Sequence, residues 1–260
     1  MTPYKAALIT GASSGIGRAL ALELAAPGTT LHLNGRNGAR LEGTALACRA
    51  KGATVHANVL DVTDALAMQA WIAQAGPLDL VIANAGISAG TGIGEPETAA
   101  QARAIFAVNL DGALNTILPA MTLMRAQAAR HGKRGTIAAI ASIAAFLPTP
   151  TAPAYGASKA ALHTWAYASA PAARLAGIQL AVVCPGFIRT AMTAPNKFRM
   201  PGLMDAEPAA RLVLTRLAAG HDRIVFPWWM GLLARTLALL PITRRLLAAQ
   251  PGKPALPDPS

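Results

Sequence analysis

The chain has little charge, few aromatic residues and almost no cysteine. Charged residues make up 13% and aromatic residues 5% of its 260 residues, and the two cysteines are Cys48 and Cys184. Two cysteines this far apart have no metal-ligand spacing, so we expect both to be reduced and structural and expect no metal site. The first residues show no secretory signal, and these features together predict a cytoplasmic protein.

Carboxylates are the scarcest charged groups. The chain has 12 Asp and Glu residues and 23 Lys and Arg residues, which gives a formal net charge of +11. Such an excess suits nucleic acid, an anionic membrane surface or a phosphate-bearing ligand. The basic residues are scattered, however, with no run of five, and they show no interleaving with aromatic residues that would suggest a platform for stacking bases. The pattern therefore predicts no nucleic-acid partner.

Hydrophobic residues are plentiful, at 53% of the chain, and they fall in short runs that alternate with longer Ala- and Leu-rich segments. Strands separated by helices predict an α/β fold, a Rossmann-type doubly wound parallel sheet of about seven strands in a single domain. The predicted strands cover residues 6–10, 30–34, 54–58, 78–83, 135–141, 179–184 and 223–226. The predicted helices cover residues 17–26, 40–51, 65–75, 99–130, 154–176 and 207–219.

Two segments interrupt this alternation. Residues 190–204 contain prolines and apolar residues and are predicted to form a mobile loop over a site. From residue 227 a tail begins with Trp228 and Trp229, runs apolar to Ile242 and continues with two arginines. We therefore divide the chain into a catalytic domain, residues 1–226, and an apolar, basic helical tail, residues 227–260, with a frayed Pro-rich end.

A glycine-rich turn joins the first predicted strand to the first helix. Gly11, Gly15 and Gly17 allow the backbone to approach a pyrophosphate, whose charge lies at the helix N-terminus. Three residues separate the first two glycines, which departs from the two-residue gap of G-x-G-x-x-G. The turn nevertheless lies between a predicted strand and a predicted helix, which is the context that dinucleotide binding requires.

The second and third strands predict the type of dinucleotide. Gly35 stands where an acidic residue would bind the ribose hydroxyls of NAD, and Arg36 follows it, so the prediction is NADP(H) in preference to NAD(H). The hydroxyls of Ser13 and Ser14 are candidates to bind the same 2′-phosphate. Asp61 has two interpretations, an acceptor for the adenine amino group or the cap of the next helix.

The pair Tyr155 and Lys159 lies on one face of a predicted helix. A tyrosine with its ordinary pKa of about 10 is a poor acid or base at neutral pH. A neighbouring ammonium favours the phenolate, so the pair can handle a proton closer to neutrality. On its own this spacing is typical of an ordinary surface pair.

Together with residues 10–17, 84–86 and 185–186, the pair resembles the short-chain dehydrogenase/reductase family over about residues 5–226, with the motifs in the family's order. The resemblance implies a seven-stranded Rossmann-type fold, a homodimer or homotetramer, and the catalytic residues Asn109, Ser142, Tyr155 and Lys159. Two departures are Ile143, in place of a second small polar residue, and a longer basic segment at 125–134, which we expect to extend the helix or its loop at the dimer face.

The resemblance also implies a role for each catalytic residue. Tyr155 exchanges the proton with the substrate oxygen, Ser142 stabilises the charge on that oxygen, and Lys159 lowers the tyrosine pKa and holds the nicotinamide ribose. Asn109 positions a water molecule through its main chain. The cofactor-binding set is Gly11, Ser13, Ser14, Gly15, Ile16, Gly17, Arg36, Asp61, Val62, Asn84, Ala85, Gly86, Tyr155, Lys159, Pro185, Gly186, Ile188 and Thr190.

The expected activity is therefore NADP(H)-dependent interconversion of a carbonyl and a secondary alcohol. Two alternatives are a non-catalytic nucleotide-binding or scaffold protein on the same fold, and an epimerase or dehydratase of the same family. The substrate is a small molecule whose identity the sequence leaves open. The tail, residues 228–245, either packs on the fold or a subunit, or lies on a membrane; the second interpretation predicts an apolar or lipid-like substrate.

Overall fold

The computed structural model describes residues 3–91, 96–131, 135–196, 198–239 and 255 of the chain. Strands and helices alternate through these residues. The strands are β1 (Ala6–Ile9), β2 (Thr30–Asn34), β3 (Thr54–Asn58), β4 (Leu80–Ala83), β5 (Gly135–Ile140), β6 (Ile178–Pro185), β7 (Ile188–Arg189), β8 (Met204–Asp205) and β9 (Arg223–Phe226). The helices are α1 (Gly15–Leu24), α2 (Gly38–Arg49), α3 (Ala65–Gln74), α4 (Ala99–Phe106), α5 (Gly112–His131), α6 (Pro153–Leu175), α7 (Ala206–Ala218) and α8 (Trp228–Ala238).

Seven of these strands form one sheet in the order β3-β2-β1-β4-β5-β6-β9, and every neighbouring pair is parallel. The chain starts in the middle and winds outward in both directions, so β1 and β4 mark the point where the winding reverses. Ligands of such sheets bind beyond the carboxyl ends of the strands at this point. The predicted doubly wound parallel sheet of seven strands is confirmed.

Both faces of the sheet are covered by helices. Leu8 and Ile9 point to opposite faces of β1, and both are fully buried. Ile9 packs in a cluster with side chains of α1 and α7, whereas Leu8 packs in a second cluster with side chains of α3 and α5. Continuous apolar strands are the expected consequence of burial on both faces.

The segment predicted as one helix over residues 99–130 has an irregular centre. Between α4 and α5 lies a π-helical turn, Ala107–Asp111, that contains Asn109. By length and composition the described residues contain one helix apolar enough to span a bilayer, 99–129. Its residues Ile117 and Met124 are buried in the cluster beneath the sheet, so this side of the helix packs in the core. The longer basic segment continues α5 to His131, and residues 132–134 lie outside the described residues.

Only the first part of the predicted tail falls within the described residues. There α8 follows β9, and its buried residues Met230, Gly231 and Ala234 face the fold. The predictions for residues 240–245 and for the frayed end fall on residues that are not described, apart from residue 255. The boundary between residues 226 and 227 stays a prediction.

Candidate active site

The glycine turn between β1 and α1 is packed too tightly for side chains. Gly11 and Gly15 have φ angles of +67° and +54°, which L-residues with side chains rarely adopt. A Cβ on Gly11 would lie 2.9 Å from the Cα of Ala85, and one on Gly17 would lie 2.3 Å from the carbonyl oxygen of Gly11. The glycines therefore let the turn lie directly against the segment that follows β4.

Thr10 and Asn84 connect these two segments. The Thr10 hydroxyl oxygen accepts hydrogen bonds from the backbone N–H groups of Asn84, at 3.0 Å, and Ala85, at 3.2 Å. The Asn84 amide donates to the Thr10 carbonyl at 3.0 Å. These bonds fix the loops after β1 and β4 at the reversal point of the sheet.

A cavity of about 350 Å³ lies at this edge of the sheet. It brings together most of the predicted site residues, from Arg36 after β2 to Tyr155 and Lys159 on α6. The predicted residues that line it are Gly11, Ser13, Ser14, Gly15, Ile16, Arg36, Val62, Asn84, Ala85, Gly86, Ser142, Tyr155, Lys159, Pro185, Gly186, Ile188 and Thr190. The lining lacks three predicted residues: Gly17, Asp61 and Asn109.

The chemistry of this lining fits a nicotinamide dinucleotide. None of the described residues around the cavity is acidic, and two are arginines, Arg36 and Arg40. The glycine turn forms a surface that Cβ atoms would fill, at the N-terminus of α1, where backbone N–H groups favour an anion. A polyphosphate ligand meets positive charge there and no repulsion from carboxylates.

Asp61 is engaged in a local turn. Its Oδ1 accepts hydrogen bonds from the backbone N–H and the hydroxyl of Thr63, each at 2.9 Å, and its Oδ2 lies 3.9 Å from Nη1 of Arg36. The cap of α3 is Asp64, which accepts from the N–H of Ala67 at 3.0 Å. The interpretation of Asp61 as that cap is therefore wrong, and its contact with adenine stays a prediction.

Ser142 and Tyr155 come from different elements to the same end of the cavity. Ser142 follows β5, and its Oγ accepts a hydrogen bond from the N–H of Ala144 at 3.1 Å. Burial raises the pKa of the Tyr155 phenol, and its hydrogen bond with Ser142 acts in the opposite direction. The net pKa shift is thus upward, whereas the role predicted for Lys159 requires a downward contribution from the ammonium.

Lys159 is 4% exposed. Its Nζ donates a hydrogen bond to the carbonyl oxygen of Ile140 at 2.8 Å. Burial lowers the pKa of this lysine from 10.5 to about 8, with a weaker opposing effect from Cys184. An ammonium buried without a carboxylate is costly for the fold, which is typical of a functional position.

Asn109 is fully buried in the π-helical turn, behind the cavity. Its Oδ1 accepts from the N–H of Ile87 at 2.8 Å, and its Nδ2 donates to the carbonyl oxygen of Ile87 at 3.0 Å. Nδ2 also lies 3.1 Å from Oγ of Ser158, which donates to the carbonyl oxygen of Tyr155 at 2.9 Å. Asn109 is thereby linked to the backbone of Tyr155 through Ser158, a residue that sequence reasoning missed.

The remaining missed residues line the cavity between the motifs. Arg40 could have been found, because it follows Arg36 by four residues at the start of a predicted helix. Most of the others are apolar or small and carry no sequence signal. They are Asn34, Asn37, Leu60, Ile87, Val108, Ile140, Ala141, Met192 and Thr193. In the part of the chain that the structure describes, no group of His, Cys, Asp and Glu could hold a metal ion.

Known proteins share this sequence pattern and this fold. Residues 5–199 match the family described as short chain dehydrogenase. An uncharacterized oxidoreductase of Myxococcus xanthus is 36% identical over 245 residues, which cover 92% of this chain and 93% of that protein.

Two solved structures have the same fold. A short chain dehydrogenase/reductase from Burkholderia phymatum in complex with NAD has a TM-score of 0.80 at 25% identity, covering 97% of this chain and 98% of that one. A short-chain dehydrogenase from Sphingobium yanoikuyae in complex with NADPH has a TM-score of 0.77 at 25% identity, covering 94% of this chain and 96% of that one.

Proposed function

The chain belongs to the short chain dehydrogenase family, and from that premise we propose that it interconverts a carbonyl compound and a secondary alcohol with NADP(H) as cofactor. It is an oxidoreductase of the short-chain dehydrogenase/reductase type that acts on CH–OH groups. One observation carries the proposal: Ser142, Tyr155 and Lys159 line the same cavity as the glycine turn.

In the proposed reaction the cofactor supplies or accepts the hydride at the substrate carbon. During reduction the Tyr155 hydroxyl gives its proton to the substrate oxygen, and during oxidation the phenolate takes that proton back. The Ser142 hydroxyl donates a hydrogen bond to the same oxygen and stabilises its developing charge. Lys159 lines the same cavity and contributes hydrogen-bond donors for a ribose.

The preference for NADP(H) depends on the two arginines at the β2 end of the cavity. The Arg36 side chain is 61% exposed and lies 3.9 Å from the carboxylate of Asp61, so it is free to turn toward a phosphate. Arg40 lines the cavity beside it. Solved relatives in complex with NAD and with NADPH both exist, so the arginines are the argument for one cofactor over the other.

Steady-state kinetics of Arg36→Ala with both cofactors test this preference. A charge-assisted hydrogen bond contributes about 1.5–3 kcal/mol, so kcat/KM for NADPH should fall roughly ten- to hundredfold while the value for NADH changes little. Arg103→Ala, an exposed arginine of α4 away from the cavity, is the matched control. A wild-type enzyme that prefers NADH, or equal losses with both cofactors, would contradict the assignment.

For the substrate we propose an apolar or lipid-like carbonyl compound. Ile188 and Met192 line the same cavity as Tyr155, and among the described residues its lining has no carboxylate and no basic side chain other than Arg36, Arg40 and Lys159. A panel of aliphatic ketones, steroids, 3-oxoacyl thioesters and sugars, followed by NADPH consumption, tests this choice. Turnover confined to the sugars would overturn it.

Neither alternative function has an observation in its favour. A scaffold protein needs no proton donor, yet all four catalytic positions carry the residues that the family uses, and three of them line the cavity. For the intact protein we propose a homodimer or homotetramer in the cytoplasm. A membrane surface is the further partner that we propose for its tail.

A further inference from the structure

Helix α8 presents large apolar side chains outward although it is docked on the fold. Its inward face is made of Met230, Gly231 and Ala234, and a Cβ on Gly231 would lie 2.4 Å from Cγ1 of Val225. The outward side chains are highly exposed: Trp228 by 73%, Trp229 by 39%, Leu232 by 57%, Leu233 by 48% and Leu239, just after the helix, by 84%. We call these five residues the α8 face.

Positive charge accompanies the α8 face. Between Asp222 and Asp258 the sequence has no carboxylate, and its charged residues there are Arg223, Arg235, Arg244, Arg245 and Lys253. Within the described part of the chain, Arg223 and Arg235 form no ion pair. Their guanidinium carbons lie instead 5.9 Å and 4.1 Å from the centre of the Phe146 ring.

Among the described residues, one hydrogen-bond donor of the Arg235 side chain also has no acceptor. Within the same part of the chain, Nη2 of Arg235 is buried and has no hydrogen-bond partner, and the same is true of Nε2 of His163, whose ring packs edge-on against Phe146. Arg235 as a whole is half-buried, so its charge lies beside the α8 face although this one nitrogen is covered. An anionic group is the acceptor that suits a guanidinium best.

From these observations we propose that the α8 face docks on an anionic lipid bilayer. Tryptophan and leucine on one face of a helix, with arginines beside it, are the composition of helices that lie in the membrane interface. The apolar side chains would enter the boundary between headgroups and acyl chains, and Arg223 and Arg235 would meet lipid phosphates.

A second copy of the chain suits the α8 face less well. In a two-fold symmetric dimer the same patch meets itself, so the arginines of one copy would approach those of the other. Residues 223–257 contain no carboxylate, so no negative side chain of this segment would offset the repulsion between the arginines. An anionic bilayer satisfies both the apolar and the basic part of the surface.

Docking there would bring the membrane next to the cavity. A Cβ on Gly202 would lie 3.2 Å from the Trp229 ring, and one on Gly186, a cavity-lining residue, would lie 3.3 Å from the sulfur of Met230. Two residues between β7 and β8 thus connect the cavity with α8: Met192 lines the cavity, and Gly202 lies against Trp229. The proposal does not depend on the oxidoreductase reaction, although a lipid-like substrate would reach the site by this route.

Vesicle flotation of the full-length protein tests the proposal. The probes are vesicles of phosphatidylcholine alone and of phosphatidylcholine with phosphatidylglycerol. We expect co-flotation with the anionic vesicles and its loss when salt is raised from about 0.1 M to about 1 M, where the Debye length falls to about 3 Å. The double variant Leu232→Glu/Leu233→Glu should bind at least roughly tenfold more weakly. Leu175→Glu changes a leucine at the end of α6 that is more exposed still, and it should bind like wild type.

Two further measurements distinguish membrane docking from a contact between subunits. Brominated phosphatidylcholine in the anionic vesicles should quench wild-type fluorescence and should quench Trp228→Phe/Trp229→Phe much less. Light scattering of the glutamate variant detects a lost subunit contact, and turnover of a small soluble ketone should be unchanged in it. No flotation of the wild type, or dissociation of an oligomer in the glutamate variant without any loss of vesicle binding, would overturn the proposal.

Discussion

Replacing Lys159 with methionine should stabilise the cofactor-free protein at neutral pH while abolishing its activity. The lysine is 4% exposed, and burial lowers its pKa from 10.5 to about 8. Each pKa unit corresponds to 1.36 kcal/mol, so the buried charge costs roughly 3 kcal/mol at pH 7. Methionine removes that cost but leaves the Ile140 carbonyl without its donor, a loss of about 1 kcal/mol. The expected net gain is about 2 kcal/mol.

The gain has a defined pH dependence. Below pH 8 the lysine is protonated in both the folded and the unfolded chain, so its full cost applies. Between pH 8 and 10.5 the unfolded chain binds more protons than the folded one, so the stability of the wild type rises with pH. Above this range both states are neutral and the cost vanishes. The advantage of Lys159→Met should therefore disappear by about pH 10.5.

Urea unfolding of both proteins at pH 7 and pH 10 measures this difference. Lys51→Met is the matched control, since Nζ of Lys51 also donates to a backbone carbonyl, that of Leu22 at 2.7 Å, but the side chain is exposed. Its substitution should change stability little at either pH. A Lys159→Met protein that is less stable than wild type at pH 7, or whose gain is equal at both pH values, would show that the buried charge of Lys159 does not cost stability.

Two further predictions concern residues outside the cofactor contacts. Ser158→Ala removes the hydroxyl that joins Nδ2 of Asn109 to the carbonyl oxygen of Tyr155. We expect kcat to fall roughly tenfold, about 1.4 kcal/mol, with little change in the cofactor Kd. An unchanged kcat would argue against a positioning role for Ser158. Burial, and then the charge of His56, lower the pKa of His32 below 6.5, so protonation favours the unfolded chain and stability should be lost as pH falls below 6.5. In His32→Gln this loss of stability, measured by thermal unfolding, should be smaller. A pH profile identical to that of the wild type would contradict the prediction.

The sequence predicted the sheet well because burial on both faces leaves a visible trace. Strands such as β4 and β6 are continuous apolar runs, and the observed ends differ from the predicted ones by at most two residues. The π-helical turn at Ala107–Asp111 could not be predicted, because its residues continue the apolar pattern of the helices on either side. Its cause is tertiary: Asn109 hydrogen bonds to the backbone of Ile87, 22 positions earlier.

The candidate site shows the same division. Tyr155, Lys159 and the glycine turn were found because their chemistry requires particular residue types at fixed spacing. Ser158 was missed because a serine in a helix has no distinctive pattern, and its importance appears only when Asn109 is placed beside it. Asp61 shows the opposite case. The sequence singled it out for its carboxylate, but in the structure that carboxylate accepts hydrogen bonds from Thr63.

In the proposed reaction Tyr155 exchanges a proton with the substrate oxygen in a cavity that also holds the dinucleotide. Tyr155→Phe removes only the hydroxyl, so it should leave the NADPH dissociation constant within about threefold of wild type while turnover falls by at least roughly a thousandfold, since proton transfer and the hydrogen bonding of the oxygen are both impaired. Tyr167→Phe, an exposed tyrosine about three turns further along α6, should turn over like wild type. Measuring NADPH binding by titration and carbonyl reduction on the same samples decides the matter. Substantial turnover by Tyr155→Phe would show that the Tyr155 hydroxyl is not the proton donor.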